Sequence, residues 1–218
     1  MPLPEEVFTI GIPIYEAVDL LDVVAGTEMF GWMGDPAVPG SIRAEVRLIA
    51  EQRSPVRTLH GTTLLPDAEF KDVPQLDMLW VPGGYPDVVQ TLMKGGAYLD
   101  FLVAQAADAK WVTSVCIGAL LLASAGLLDG YEATTHWEFI PCLKLFPNVR
   151  VADGNPRFVR DRNRFTGGGI SAGLDGTLAL IEVIAGTALA EQVQVVTQYF
   201  PDPPVSGSIP APDPCPWG

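Results

Sequence analysis

A chain of 218 residues, 48% apolar and 18% charged, is long enough for one sizeable buried core and too apolar to stay disordered. The net charge of −13 opposes nonspecific attraction to phosphate backbones and anionic lipid, which excludes nucleic acid and a membrane surface as expected partners. No stretch approaches the roughly 18 uninterrupted apolar residues of a membrane span, and MPLPEEVF is acidic where a secretory signal is basic. The expectation is a cytoplasmic protein with a single domain over residues 1–218.

In chain order, Val7 to Tyr15 (VFTIGIPIY) reads as a buried strand, with β-branched and aromatic residues and no charge. Asp19 to Phe30 follows as a helix, with Asp19 as its cap and Asp22 in the third position. Arg43 to Ala50 alternates as a strand, and Pro55 to Pro66 resembles a hairpin turning near His60-Gly61; His60 is given no chemistry there. Asp77 to Val81 is a short buried strand ending in PGGYPD, and Gly96 to Asp108 is helical. Trp111 to Val115 is the next strand, delivering Cys116 to a turn before a small-residue helix from about Gly118. Thr135-His136-Trp137-Glu138 fits a capping box, with His136 in the first helical turn. Phe158 to Gly169 reads as a solvated strand pair, closed by a tight Gly167-Gly168-Gly169 turn before a helix at Gly173. The proline-rich tail, about residues 200–218, cannot continue a helix or a central strand and is expected to wrap the surface or meet a second subunit. Strands alternating with helices imply an α/β sandwich, a mainly parallel sheet covered on both faces, with its site at the carboxyl ends of the strands.

The candidate chemistry gathers at that edge. Cys116, at a strand-to-helix turn, reads either as a nucleophile or as a buried structural cysteine. As a nucleophile it would be drawn toward thiolate by the positive end of the following helix. Gly83 and Gly84 end the neighbouring strand, and their N–H groups with that of Ile117 would hold a developing negative charge; the alternative is an ordinary turn. Asp22, flanked by Leu20, Leu21, Val23 and Val24, is either a first-turn acid or a carboxyl whose pKa burial and a thiolate raise until it donates protons. His136 would orient the thiolate or bond a backbone carbonyl, with a structural or supporting role favoured. Cys116, Cys142 and Cys215 are odd in number and lack metal-ligand spacing, which suits a reducing compartment and predicts no zinc.

Taken together, LDVVAGTEMF, WVPGG, SVCIGALLLASAGLLDGYEATTHW, VRDRNRFTGGGISAGLDGTL and YFPDPPVSGS resemble the DJ-1/PfpI superfamily, in this order and over nearly the whole chain. The resemblance implies a flavodoxin-like three-layer sandwich, a nucleophile elbow at Cys116, a homodimer, a small-molecule substrate and no cofactor; a noncatalytic small-molecule or redox sensor and another thiol enzyme acting on reactive carbonyls are the alternative readings. Its acidic partner falls on Asp22, where most branches carry glutamate; aspartate resembles the isonitrile hydratase branch, which adds water to an isonitrile. That branch usually has threonine where this chain has Ile117, which offers only its backbone N–H. The peptidase-like branch has histidine at that place, so a Cys-His protease is not implied, and a further branch joins this domain to a helix-turn-helix regulator.

Overall fold

The computed structural model describes residues 6–217; the first five residues of the MPLPEEVF stretch lie outside it. The first strand, β1 (Phe8–Pro13), is followed by α1 (Leu20–Gly34), β2 (Ala44–Ala50) and a hairpin of β3 (Val56–Arg57) and β4 (Thr63–Leu64). Next come β5 (Ala68–Glu69), β6 (Met78–Val81), α2 (Pro86–Leu92), α3 (Ala97–Ala106), β7 (Trp111–Ser114) and α4 (Gly118–Ser124). The remainder is β8 (Glu132–Ala133), α5 (Ile140–Leu143), β9 (Arg150–Val151), β10 (Phe158–Asp161), β11 (Arg164–Gly167), α6 (Ala172–Ala185) and α7 (Thr187–Val196).

Seven strands form the central sheet in the order β10-β11-β7-β6-β1-β2-β5. Every neighbouring pair is parallel except β10 with β11. Parallel strands need crossovers, and helices supply most of them, so this is the expected flavodoxin-like α/β sandwich. Ile12 and Trp80 face α1, whose Gly26 lies against both side chains. On this side α1, α6 and α7 pack together, while α4 ties α2, α3 and α5 into the other layer. The innermost strands carry no charge because both of their faces are covered: Ile10, Ile12, Met78, Leu79, Trp80 and Val81 have no exposed surface.

Three departures from the sequence expectations have physical causes. The pair β10–β11 is not solvated throughout: all four residues of β11 are buried beside β7. Arg164 tolerates this because its guanidinium donates to the Leu127 carbonyl at 2.8 Å and lies over the Tyr131 ring. The helix after β1 runs a turn beyond Phe30, to Gly34, because Met33 is buried like the residues before it. Cys142 and Cys215, read as free thiols of a reducing compartment, form a disulfide, since the tail folds back and brings its end onto α5. Among the described residues no helix is long and apolar enough to cross a membrane.

Candidate active site

Neighbouring strands bring the candidate residues to one place. Val81 at the end of β6 is in register with Ser114 at the end of β7, so Pro82-Gly83-Gly84 and Val115-Cys116 leave the sheet side by side. Cys116 has φ +56, the left-handed region that a residue with a Cβ enters only when its surroundings hold it there. Three bonds do so: its N–H donates to the Gly168 carbonyl at 2.8 Å, Thr135 Oγ1 donates to its carbonyl at 2.8 Å, and Gly118 N–H donates to the Val115 carbonyl at 3.1 Å. The result is a sharp turn that holds Cys116, buried, at the carboxyl edge of the sheet.

Helix α1 supplies the acid. Asp19 caps it, accepting the N–H groups of Leu21 at 3.0 Å and Asp22 at 3.3 Å, as expected from the sequence. Asp22 is therefore free for other work. Its Oδ2 accepts the Gly83 N–H at 2.8 Å, and its carboxyl lies near enough to the Cys116 thiol to interact with it electrostatically. Trp80 Nε1 donates to the Asp22 carbonyl at 2.8 Å and fixes the backbone beneath it. Gly83 allows this closeness: a Cβ there would sit 2.9 Å from Ile117 N and 3.0 Å from Asp22 Oδ2.

Burial pushes the Asp22 carboxyl well above the usual carboxylate range, and Asp19 adds to the push. Burial also raises the Cys116 thiol, and the Asp22 charge adds to it, against the backbone N–H groups of Ile170 and Ile117 that favour thiolate. This overturns the expectation of a lowered thiol pKa. Cys116 is 7% exposed, and two amides beside a helix of only two turns do not offset its desolvation and the neighbouring carboxylate. The two groups titrate as a pair that resists carrying two negative charges.

Of the other expected residues, Ile117 contributes its N–H to the sulfur, and its side chain is buried. The Gly83 N–H is committed to Asp22, while Gly84 packs against Ala17 and Val18. His136 precedes a single 3₁₀ turn, Trp137–Phe139, and is itself the cap, its Nδ1 accepting the Glu138 N–H at 3.4 Å. The capping box foreseen with Thr135 does not form, because the Thr135 hydroxyl is spent on Cys116. Burial lowers the His136 pKa, leaving a neutral ring stacked against Gly169. A cavity of about 290 Å³ opens beside the elbow, walled in part by Leu21, Thr135, His136, Trp137, Ile170 and Ile209. His60 lies outside it, in a neighbouring depression with Asp19 and Val24.

Sequence reasoning missed Ile170, whose N–H meets the sulfur and whose φ is +27. No side-chain signal marks a residue that serves through its amide. It also missed Tyr15, whose hydroxyl donates to the Pro82 carbonyl at 3.1 Å and steadies the PGG turn.

The elbow lies within a recognisable stretch, and Asp22 immediately precedes it: residues 23–183 match the DJ-1/PfpI family. The chain belongs to the DJ-1/PfpI family. It is similar to the isonitrile hydratase of Pseudomonas putida, 40% identical over 201 residues that cover 92% of this chain and 82% of that protein. It is also similar to the HTH-type transcriptional regulator GbdR of Pseudomonas aeruginosa, 36% identical over 140 residues, which are 64% of this chain but 37% of the regulator. A crystal structure of a ThiJ/PfpI family protein from Pseudomonas syringae superposes with a TM-score of 0.82 at 33% identity, covering 94% of this chain and 80% of that one. Drosophila melanogaster DJ-1beta shares the fold at a TM-score of 0.77 and 17% identity, over 88% of this chain and 98% of its own. This DJ-1/PfpI chain thus shares its architecture with proteins of differing roles, and the residues around Cys116 must carry any functional reading.

Proposed function

We propose that the protein hydrates an isonitrile to an N-substituted formamide, with Cys116 as nucleophile and Asp22 as proton carrier. The observation that carries this reading is the buried Asp22 carboxyl, anchored by the Gly83 N–H at 2.8 Å and near enough to Cys116 for each group to shift the other's pKa. The similarity to the Pseudomonas putida isonitrile hydratase supports it.

In the reacting form the proton lies on Asp22 and the negative charge on Cys116, held by the N–H groups of Ile117 and Ile170. The sulfur bonds to the terminal isonitrile carbon, and the Asp22 proton passes to the same carbon, giving a thioimidate and leaving Asp22 ionised. Water then bonds to that carbon as Asp22 takes one of its protons and returns it to nitrogen. The remaining hydroxyl proton goes to Asp22 as the carbonyl forms, the carbon–sulfur bond breaks, and formamide leaves. Thiolate and protonated carboxyl are restored, and water is the only other reactant. No metal or organic cofactor enters the scheme.

The cavity's volume of about 290 Å³ is at the small end of ligand sites, and Leu21, Trp137 and Ile170 suit a compact apolar substituent. The homodimer implied by the family resemblance belongs to the same reading, and light scattering of the purified chain checks it; the cytoplasmic location expected from the sequence rests on the acidic N-terminus alone, since Cys142 and Cys215 pair. The alternative, a redox-sensing thiol, requires a sulfur that an oxidant reaches from solvent, and Cys116 is buried. The test is incubation with cyclohexyl isocyanide and chromatography of the formamide: turnover lost in both Cys116→Ala and Asp22→Asn supports the reading, and no turnover by folded wild type refutes this substrate assignment.

A further inference from the structure

We propose that the C-terminal tail is a wall of the substrate cavity, held in place by the Cys142–Cys215 disulfide, and that this wall limits the size of the substrate's organic group. The inference rests on reading the cavity beside Cys116 as the seat of that group.

Ile209 comes from the tail, yet it lines the same cavity as His136, Trp137 and Ile170. Its side chain is placed there without burial in the body of the protein, since the residue remains 57% exposed. Something other than core packing must therefore hold it. At one end, the Tyr199 hydroxyl donates to Asp175 Oδ1 at 3.1 Å, and Gln194 Nε2 donates to the Tyr199 carbonyl at 3.2 Å. At the other end, Cys215 is bonded to Cys142 in α5, and the Trp217 ring lies 5.0 Å from that of Phe139. Phe139 in turn packs edge-on against His136 at 6.2 Å, so the staple grips the same short segment that walls the cavity. Among the described residues, no hydrogen bond ties residues 201–214 to the rest of the protein.

The sequence between Ile209 and the staple turns that anchor into a positioning device. In IPAPDPC, Pro210, Pro212 and Pro214 fix φ at every second residue and remove those N–H donors. Such a segment is a stiff extended strut of about 3.1 Å per residue. Bonding Cys215 to α5 at one end of the strut therefore constrains Ile209 at the other. With the disulfide absent, Trp217 alone holds the end, the strut swings, and Ile209 leaves the wall.

The test uses alkylation of Cys116, the one cysteine outside the disulfide. Its sulfur displaces iodide from iodoacetamide or from the bulkier N-benzyl iodoacetamide; a sulfur–carbon bond forms as the carbon–iodine bond breaks and iodide leaves. Second-order rate constants are measured by intact mass for wild type, Ile209→Ala, and the double variant Cys142→Ala/Cys215→Ala, each checked for folding by circular dichroism. The expected result is a bulky-to-small rate ratio about fivefold or more above wild type in both variants. A ratio within twofold of wild type in both variants overturns the wall, and a rise confined to Ile209→Ala overturns the role of the disulfide. Alkylation needs no hydration, so a changed ratio without formamide turnover upholds the wall while refuting the substrate, and turnover with an unchanged ratio does the reverse.

Discussion

Asp22 Oδ2 accepts the Gly83 N–H at 2.8 Å, while Oδ1 of the same fully buried carboxyl has no hydrogen-bond partner. A carboxylate satisfied on one oxygen is costly to bury, and the protonated form is the cheaper one. Stability and chemistry therefore pull apart at this residue. Asp22→Asn keeps an acceptor for Gly83 and removes the charge, so the variant is expected to be more stable at neutral pH by about 1 kcal/mol. It loses the proton carrier, so hydration falls roughly 10²- to 10⁴-fold. Thermal unfolding and formamide formation on the same sample decide the matter; a less stable variant would refute this account of the carboxyl.

The same pair sets a pH dependence of stability. Asp22 has a folded pKa raised by burial, so its contribution is fully present below the ordinary carboxyl pKa of about 4 and is lost as pH rises through the folded value. Cys116 is raised too, and its contribution is lost as pH climbs from about 8.5 through its folded value. The melting temperature of Asp22→Asn minus that of wild type should therefore grow from acidic to neutral pH, and that of Cys116→Ala should grow in the alkaline range. Differences that stay flat with pH would mean that neither group titrates abnormally.

Much of the frame was legible because apolar runs and glycines mark it. β1, β6 and β7 are uncharged, and Pro82-Gly83-Gly84 and Cys116 interrupt such runs where strands end at a common edge. The raised pKa of Asp22 followed from an acid flanked by apolar residues, which burial desolvates. What stayed hidden depends on backbone and on long-range paths. Ile170 acts through an amide at positive φ, which its apolar side chain does not announce. Cys142 and Cys215 stand 73 residues apart, and only the course of the tail pairs them. The arginines of β10 and β11 suggested solvent, whereas Arg164 is buried with its guanidinium satisfied.

Gly83 carries a prediction of its own. An added Cβ would sit 2.9 Å from Ile117 N, a backbone atom that cannot step aside without moving the elbow. Gly83→Ala should separate the loop from the elbow and from Asp22, and a misplacement near 1 Å lowers kcat about 10²-fold. Folding should persist, because the contact lies at the end of the sheet rather than within it. Wild-type turnover in this variant would show that the closeness of Gly83 is dispensable.

The family resemblance implies threonine in the hydratase branch where this chain has Ile117, whose Cγ1 lies over Gly83. Ile117→Thr places a hydroxyl there. One additional hydrogen bond of about 1 kcal/mol in the transition state raises kcat roughly fivefold. Steady-state kinetics with cyclohexyl isocyanide test this, and an unchanged or lower kcat would show that the N–H groups of residues 117 and 170 already suffice.

Thr135 holds the elbow from behind, its Oγ1 donating to the Cys116 carbonyl at 2.8 Å. Cys116 is strained at φ +56, and the strain persists only while neighbouring bonds hold it. Thr135→Val keeps the shape and deletes the donor, leaving a buried carbonyl without this partner at a cost of about 1–3 kcal/mol. Thr135→Ser keeps the donor and loses only a methyl. The valine variant should therefore melt earlier and alkylate Cys116 at an altered rate, with kcat reduced more than KM is raised, because the sulfur is displaced while the apolar walls stay. The serine variant should recover most of kcat. Equal losses in the two variants would instead assign the role of Thr135 to packing, and the hydroxyl would have no part in holding the elbow at Cys116.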